Sequence, residues 1–150
     1  TMAAATDALE NGLLQLILHN VNLSGIGDAA GLRGSTAPGS LYVSLHTADP
    51  GEAGTQSTSE AAYTGYARVA VARSSAGWTI TDANFTNAGT VQFPAATGGS
   101  STVTHIGIGT AVSGAGKLLL RSALSNPASV AITTGIALKL DPGAINGSVA

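Results

Sequence analysis

The chain has 150 residues, with 6 Lys plus Arg against 8 Asp plus Glu and a formal charge of −2. That balance argues against a nucleic-acid binder, which needs a basic face to displace phosphate counterions. The absence of Cys excludes disulfides, Cys-type zinc sites and iron–sulfur clusters.

Residues 7–19 carry the one helical pattern. Asp7 and Glu10 have the spacing of an N-cap with its partner three residues on. Leu9, Leu13, Leu16 and Ile17 fall on one face of a 3.6-residue period, which Leu14 and Leu18 widen. Gly12 in the interior costs about 1 kcal/mol relative to Ala. Residues 20–40 are polar and Gly-rich, and too long for an ordinary connection, so they read as an extended arm or a functional loop.

From Leu41 the period changes to two. Leu41, Val43 and Leu45 alternate with Tyr42, Ser44 and His46 as a half-buried strand, which Asp49-Pro50-Gly51 ends. Residues 52–64 form a polar loop, and Tyr66–Arg73 is the next strand. Shorter strands follow at Trp78–Thr81, within Phe85–Phe93, and at Val103–Gly109, Lys117–Ser122, Ser129–Thr133 and Ile136–Leu140. Gly114-Ala115-Gly116 makes a hairpin turn. About eight short strands without strand–helix–strand alternation predict an all-β fold, an antiparallel β-sandwich of jelly-roll type. The helix and arm occupy residues 1–40 and the β domain residues 41–150.

Sites for chemistry are sparse. His19, His46 and His105 share no metal-ligand spacing, and His46 with Asp49 makes only a partial pair, so no metal is expected. Ser44, His46 and Asp49 contain the side chains of a hydrolytic triad, but strand rise puts Ser44 and His46 about 6–7 Å apart. No nucleophile elbow accompanies them. Gly25-x-Gly27-x-x-Ala30 resembles a dinucleotide fingerprint without the strand before it or the helix after it. These readings leave no catalytic residue, no cofactor and no enzyme activity. No apolar run reaches the roughly 18 residues of a helical membrane span, and no membrane partner is expected. His46 and His105 read as hydrogen-bonded strand histidines.

Several segments are similar in order and spacing to a family of small tailed-phage structural proteins. They are Leu41-Tyr42-Val43-Ser44-Leu45-His46-Thr47-Ala48-Asp49-Pro50-Gly51, then Gly65–Val71 and Trp78, then Val91–Gly98, Thr102–Ile108, Ser113–Leu119 and Gly135–Gly143. The leading helix fits as well, so the resemblance spans roughly residues 7–145. Such sequences are often labelled tail-fibre proteins, and those of understood role are head cement, or capsid decoration, proteins with a jelly-roll fold. The resemblance implies a virion protein on the outer surface of the phage head that bridges major capsid protein subunits without catalysis. A symmetric homo-oligomer is expected, a homodimer ahead of a trimer. The expected contact groups are Leu9, Leu13, Leu16 and Ile17 on the helix, Arg33 on the arm, and Arg68 and Arg73 as exposed cations. The rival reading is a tail-fibre or receptor-binding module for a host surface glycan, for which Trp78 and few other aromatics are available.

Overall fold

The computed structural model describes residues 4–28 and 30–149. Its helix α1 spans Asp7–Leu18. Its eleven strands are β1 Ser40–His46, β2 Val69–Ala72, β3 Trp78–Thr81, β4 Asn84–Asn87, β5 Val91–Gln92, β6 Ser101–Val103, β7 His105–Gly109, β8 Leu118–Ala123, β9 Val130–Ile132, β10 Lys139–Leu140 and β11 Asn146–Ser148. They form small sheets in the orders β2-β1-β7-β8, β11-β4-β3, β10-β5 and β6-β9. The registered pairs are antiparallel. The architecture is therefore all-β with one short helix, as the alternating pattern predicts. The chain divides into two compact units, one of Thr1–Ser40, Ala72–Thr90 and Leu140–Ala150, the other of Leu41–Val71 and Val91–Lys139.

In the first unit, α1 packs against β3. Its N-cap is Thr6 rather than Asp7, with no side-chain cap bond, so Asp7 and Glu10 both sit in the first turn, where carboxylates suit the helix dipole. Leu14 and Leu18 are the buried helix residues. Trp78 and Phe85 meet edge to face at 5.9 Å between ring centres, and both are buried. β3 and β4 pair Thr81 with Asn84, leaving a two-residue turn at Asp82 and Ala83. Both take positive φ, 45° and 61°, as a tight hairpin of primed type requires. The Ala83 amide is held by Asn11 Oδ1 at 3.0 Å, which fixes the hairpin to the helix.

Residues 20–40 take the loop form rather than that of an extended arm, because their asparagines close the backbone on itself. Asn20 Nδ2 donates to the Ser35 carbonyl at 2.8 Å, and Asn20 Oδ1 accepts from the Ser35 amide at 2.6 Å. Asn22 Oδ1 accepts from the Gly34 amide at 3.0 Å, and Leu23 and Leu32 exchange two backbone hydrogen bonds. Gly12 explains itself here: a Cβ on it would run into the Leu23 side chain, so the helix glycine lets the loop lie close.

In the second unit, β1 and β7 pair Tyr42 with Gly109 through His46 with His105. Val43, Leu45, Val103 and Ile132 are fully buried there. The single predicted strand Val103–Gly109 is broken at Thr104. The Thr104 amide bonds the His46 carbonyl, while its carbonyl accepts from Leu124. One residue thus turns its two backbone groups to different neighbours, which ends β6 and begins β7. β8 is one of the two outer strands of the four-stranded sheet, and its pairing with β7 shifts register between Ile108 and Gly109. Such an irregularity at a sheet edge discourages further strand pairing.

Candidate functional site

The second unit holds a buried polar network that converges on one loop. Arg68 starts it. Expected as an exposed cation, it is only 8% exposed, because β2 begins at Val69 and the strand alternation that would turn Arg68 outward does not yet apply. Its guanidinium grips Glu60 with two bonds, Nε to Oε1 at 2.7 Å and Nη2 to Oε2 at 2.8 Å. Two further donors go to loop carbonyls, Ala111 at 2.9 Å from Nη1 and Gly114 at 2.6 Å from Nη2. Tyr66 donates its hydroxyl hydrogen to Glu60 Oε1 at 2.8 Å and accepts from the Leu45 amide at 3.0 Å. Burial pushes the Tyr66 phenol well above its ordinary range, so it stays a neutral donor.

Gln56, fully buried, adds a second set of holds. Its side-chain amide donates to the Tyr42 carbonyl at 3.1 Å, and its Oε1 accepts from the Ala111 amide at 2.9 Å. Its own amide bonds the Ala115 carbonyl at 2.8 Å. A Cβ on Gly109 would collide with this glutamine, so the glycines of the β7–β8 hairpin make space for the clamp. The result is a loop over residues 110–116 whose backbone is held at Ala111, Gly114 and Ala115 by buried groups. At its tip Val112 is 63% exposed, and none of the seven residues is charged.

The Ser44–His46 pair corrects the distance expected from strand rise. Both side chains lie on one face of β1 and lean together, with Ser44 Oγ 2.9 Å from His46 Nε2. His46 Nδ1 lies 2.8 Å from the Thr58 carbonyl, which can only accept, so the ring proton sits on Nδ1 and Nε2 accepts from the Ser44 hydroxyl. Desolvation holds the His46 pKa below its ordinary value. Ser44 and His46 are both fully buried, and the third residue of the apparent triad is elsewhere. Asp49 accepts from the Gly51 amide at 2.9 Å and from Arg121 Nη1 at 2.7 and 2.9 Å, and these bonds, the Gly51 one first, lower its pKa. Beside it, an open groove of about 400 Å³ is lined by Gly51, Glu52 and Leu118–Arg121.

The other sequence-derived contact residues lie in the first unit. Leu9 is exposed, while Leu13, Leu16 and Ile17 are half-buried. Arg33 is exposed and meets Asp28 at 3.3 Å. Arg73 is half-buried and committed to the helix end: its Nε donates to the Ile17 carbonyl and its Nη2 to the Leu16 carbonyl, each at 2.7 Å. Its Nη1 reaches Ser35 Oγ and the Pro38 carbonyl, both at 3.1 Å. It therefore caps α1 from outside the helix and fastens residues 35–38 to it. The structure brings Arg73 together with Leu16 and Ile17, but not as a shared outward face.

Sequence reasoning missed Gln56, Glu60 and Tyr66. The one signal that could have found them is the run of glycines at 107, 109, 114 and 116, which marks a place where other groups come close. Among the described residues, no group of three or more His, Asp or Glu could hold a metal ion, and no helix is long and apolar enough to cross a membrane.

Comparison with known families gives one assignment: the model for podophage GP4 fiber I protein gp80 matches residues 4–148. No curated protein matches the chain.

Proposed function

The chain belongs to the podophage GP4 fiber I protein gp80 family, a family of phage structural proteins, and from that premise we propose that it stands on the outer surface of the phage head and bridges major capsid protein subunits. Its role there is adhesion, with no catalytic step. The observation that supports this reading best is the clamped 110–116 loop. Four backbone groups are held by the buried Arg68 and Gln56, and the loop offers an exposed, uncharged tip at Val112. A loop so held loses little entropy on binding, and a preorganised apolar tip suits a partner surface that is itself neutral and concave. The half-buried helix residues Leu13, Leu16 and Ile17, with exposed Leu9 and Arg33, supply a second contact face. Copies set side by side on a closed shell gain avidity, so each contact can be weak.

The alternative is a fibre module that binds a host surface glycan, and the word fiber in the family description favours it. Trp78, the natural stacking platform for a sugar, is fully buried and weighs against it. The test is binding of the purified chain to phage particles assembled without it. Wild type should bind and saturate, and Val112→Asp should weaken binding about tenfold or more while leaving the unfolding temperature unchanged. Equal binding by the variant, or binding to host cells instead of particles, would overturn the reading.

A further inference from the structure

Strand β8 has β7 on one side and, among the described residues, no strand on the other. Along this outer edge Lys117, Leu119, Arg121, Ser122 and Ala123 are all exposed. Leu119 stands out as the large apolar one, 40% exposed. Leu118 and Leu120 are half-buried and line the open groove of about 400 Å³, together with Gly51 and Glu52.

Four charged side chains flank this apolar strip, two of each sign: Lys117 and Arg121, Asp49 and Glu52. Arg121 is committed, since its Nη1 donates to both Asp49 oxygens at 2.7 and 2.9 Å. Lys117 and Glu52 have no side-chain partner among the described residues. They belong to different ends of the strand. The Asp49 bond fastens the start of the 49–52 segment at Arg121, whereas Lys117 precedes the first residue of β8. Four residues of extended chain separate those ends by about 13 Å. From one end to the other, the edge carries a free cation, an exposed leucine and the segment with a free carboxylate.

That order is complementary to itself when reversed. We propose that the outer edge of β8 is a self-association surface, on which a second copy of this chain docks antiparallel across a two-fold axis near Leu119. The axis sets Leu119 against Leu119 of the second copy and Lys117 of each against Glu52 of the other. A two-fold contact requires this kind of pattern, because whatever residue i meets on the partner must meet residue i in return. The contact is apolar at its centre and charged at its rim, the usual arrangement of a specific interface. Two cations offset two anions, so two copies meet without net repulsion, and a strongly charged partner would find no complementary field. The register shift between Ile108 and Gly109 keeps β8 from offering an even ladder, so side chains rather than a continuous sheet hold the pair. The rim ion pairs lie in water and contribute more to orientation than to affinity. The proposal goes beyond the function above and does not depend on it.

The test is sedimentation velocity of the full chain over a concentration series reaching about 1 mM, where a small transient interface is populated. Wild type should exchange between monomer and dimer, and the dimer should weaken as salt rises. Lys117→Glu or Glu52→Lys alone puts like charges together twice in each pair, and should weaken dimerisation about tenfold or more. An equimolar mixture of the two variants should recover it, because every rim contact of the mixed pair again joins opposite charges. Recovery on mixing separates a contact between copies from an ion pair within one chain. Leu119→Asp should weaken the dimer too, without rescue by either charge exchange. All three positions are exposed, so the variants should unfold near the wild-type temperature. A wild type that stays monomeric throughout, or forms a trimer instead, would overturn the proposal. So would a dimer indifferent to the single exchanges, or two weakened variants that fail to pair when mixed.

Discussion

Two Gly-rich loops of this molecule are held in opposite ways. The 20–35 loop is closed near water, by Asn20 and Asn22 side chains bonding nearby backbone, with an exposed Arg33–Asp28 pair at 3.3 Å. The 110–116 loop is closed from beneath, by a guanidinium whose side chain is 2% exposed and by a fully buried glutamine. Composition alone makes the two look alike. They differ in what happens when one partner is removed. A group near water can exchange a protein partner for solvent, whereas a buried group left alone bears its full desolvation cost. The first loop is therefore tolerant, and the second is set by its supports.

The largest effect should come from Arg68→Met. It strands the Glu60 carboxylate and frees the Ala111 and Gly114 carbonyls, and removing one partner of a buried pair costs about 3–5 kcal/mol. Urea unfolding should show that loss, and a cost below about 1 kcal/mol would mean that the network gives the second loop little support. A smaller loss should follow Arg73→Ala. It removes the donors to the Leu16 and Ile17 carbonyls at the helix end, worth about 1–2 kcal/mol, and should lower helical circular dichroism at the same time. The smallest is Arg33→Ala, whose exposed pair with Asp28 should change stability by less than about 0.5 kcal/mol and lose even that in high salt. If Arg33→Ala were as costly as Arg68→Met, the contrast between the loops would fail.

The sequence carries the framework more clearly than the supports. Leu41, Val43 and Leu45 are legible from period alone because their face of β1 is buried throughout, whereas the strand is not half-buried as its alternation suggests: Ser44 and His46 on the other face are fully buried too, which polar side chains do not signal. β11 is not legible in the sequence, since Asn146, Gly147 and Ser148 show no apolar alternation and become a strand only by pairing with β4. Arg68 escapes the alternation of Val69 and Val71 because β2 begins only at Val69, and its side chain turns to a carboxylate eight positions earlier. The Ser44–His46 bond is not legible from strand rise, which measures backbone, while two side chains on one face can close the gap by leaning. Gln56 lies in a polar loop and gives no sign of burial by itself. Its partners at Ala111 and Ala115 are more than fifty residues away, a separation that local patterns do not span.

The most direct measurement of where this protein acts is imaging of purified phage particles labelled with an antibody against the chain. The account predicts label spread over the head at high copy number. Label confined to the tail tip would contradict it and transfer the clamped loop from capsid bridging to recognition of the host surface.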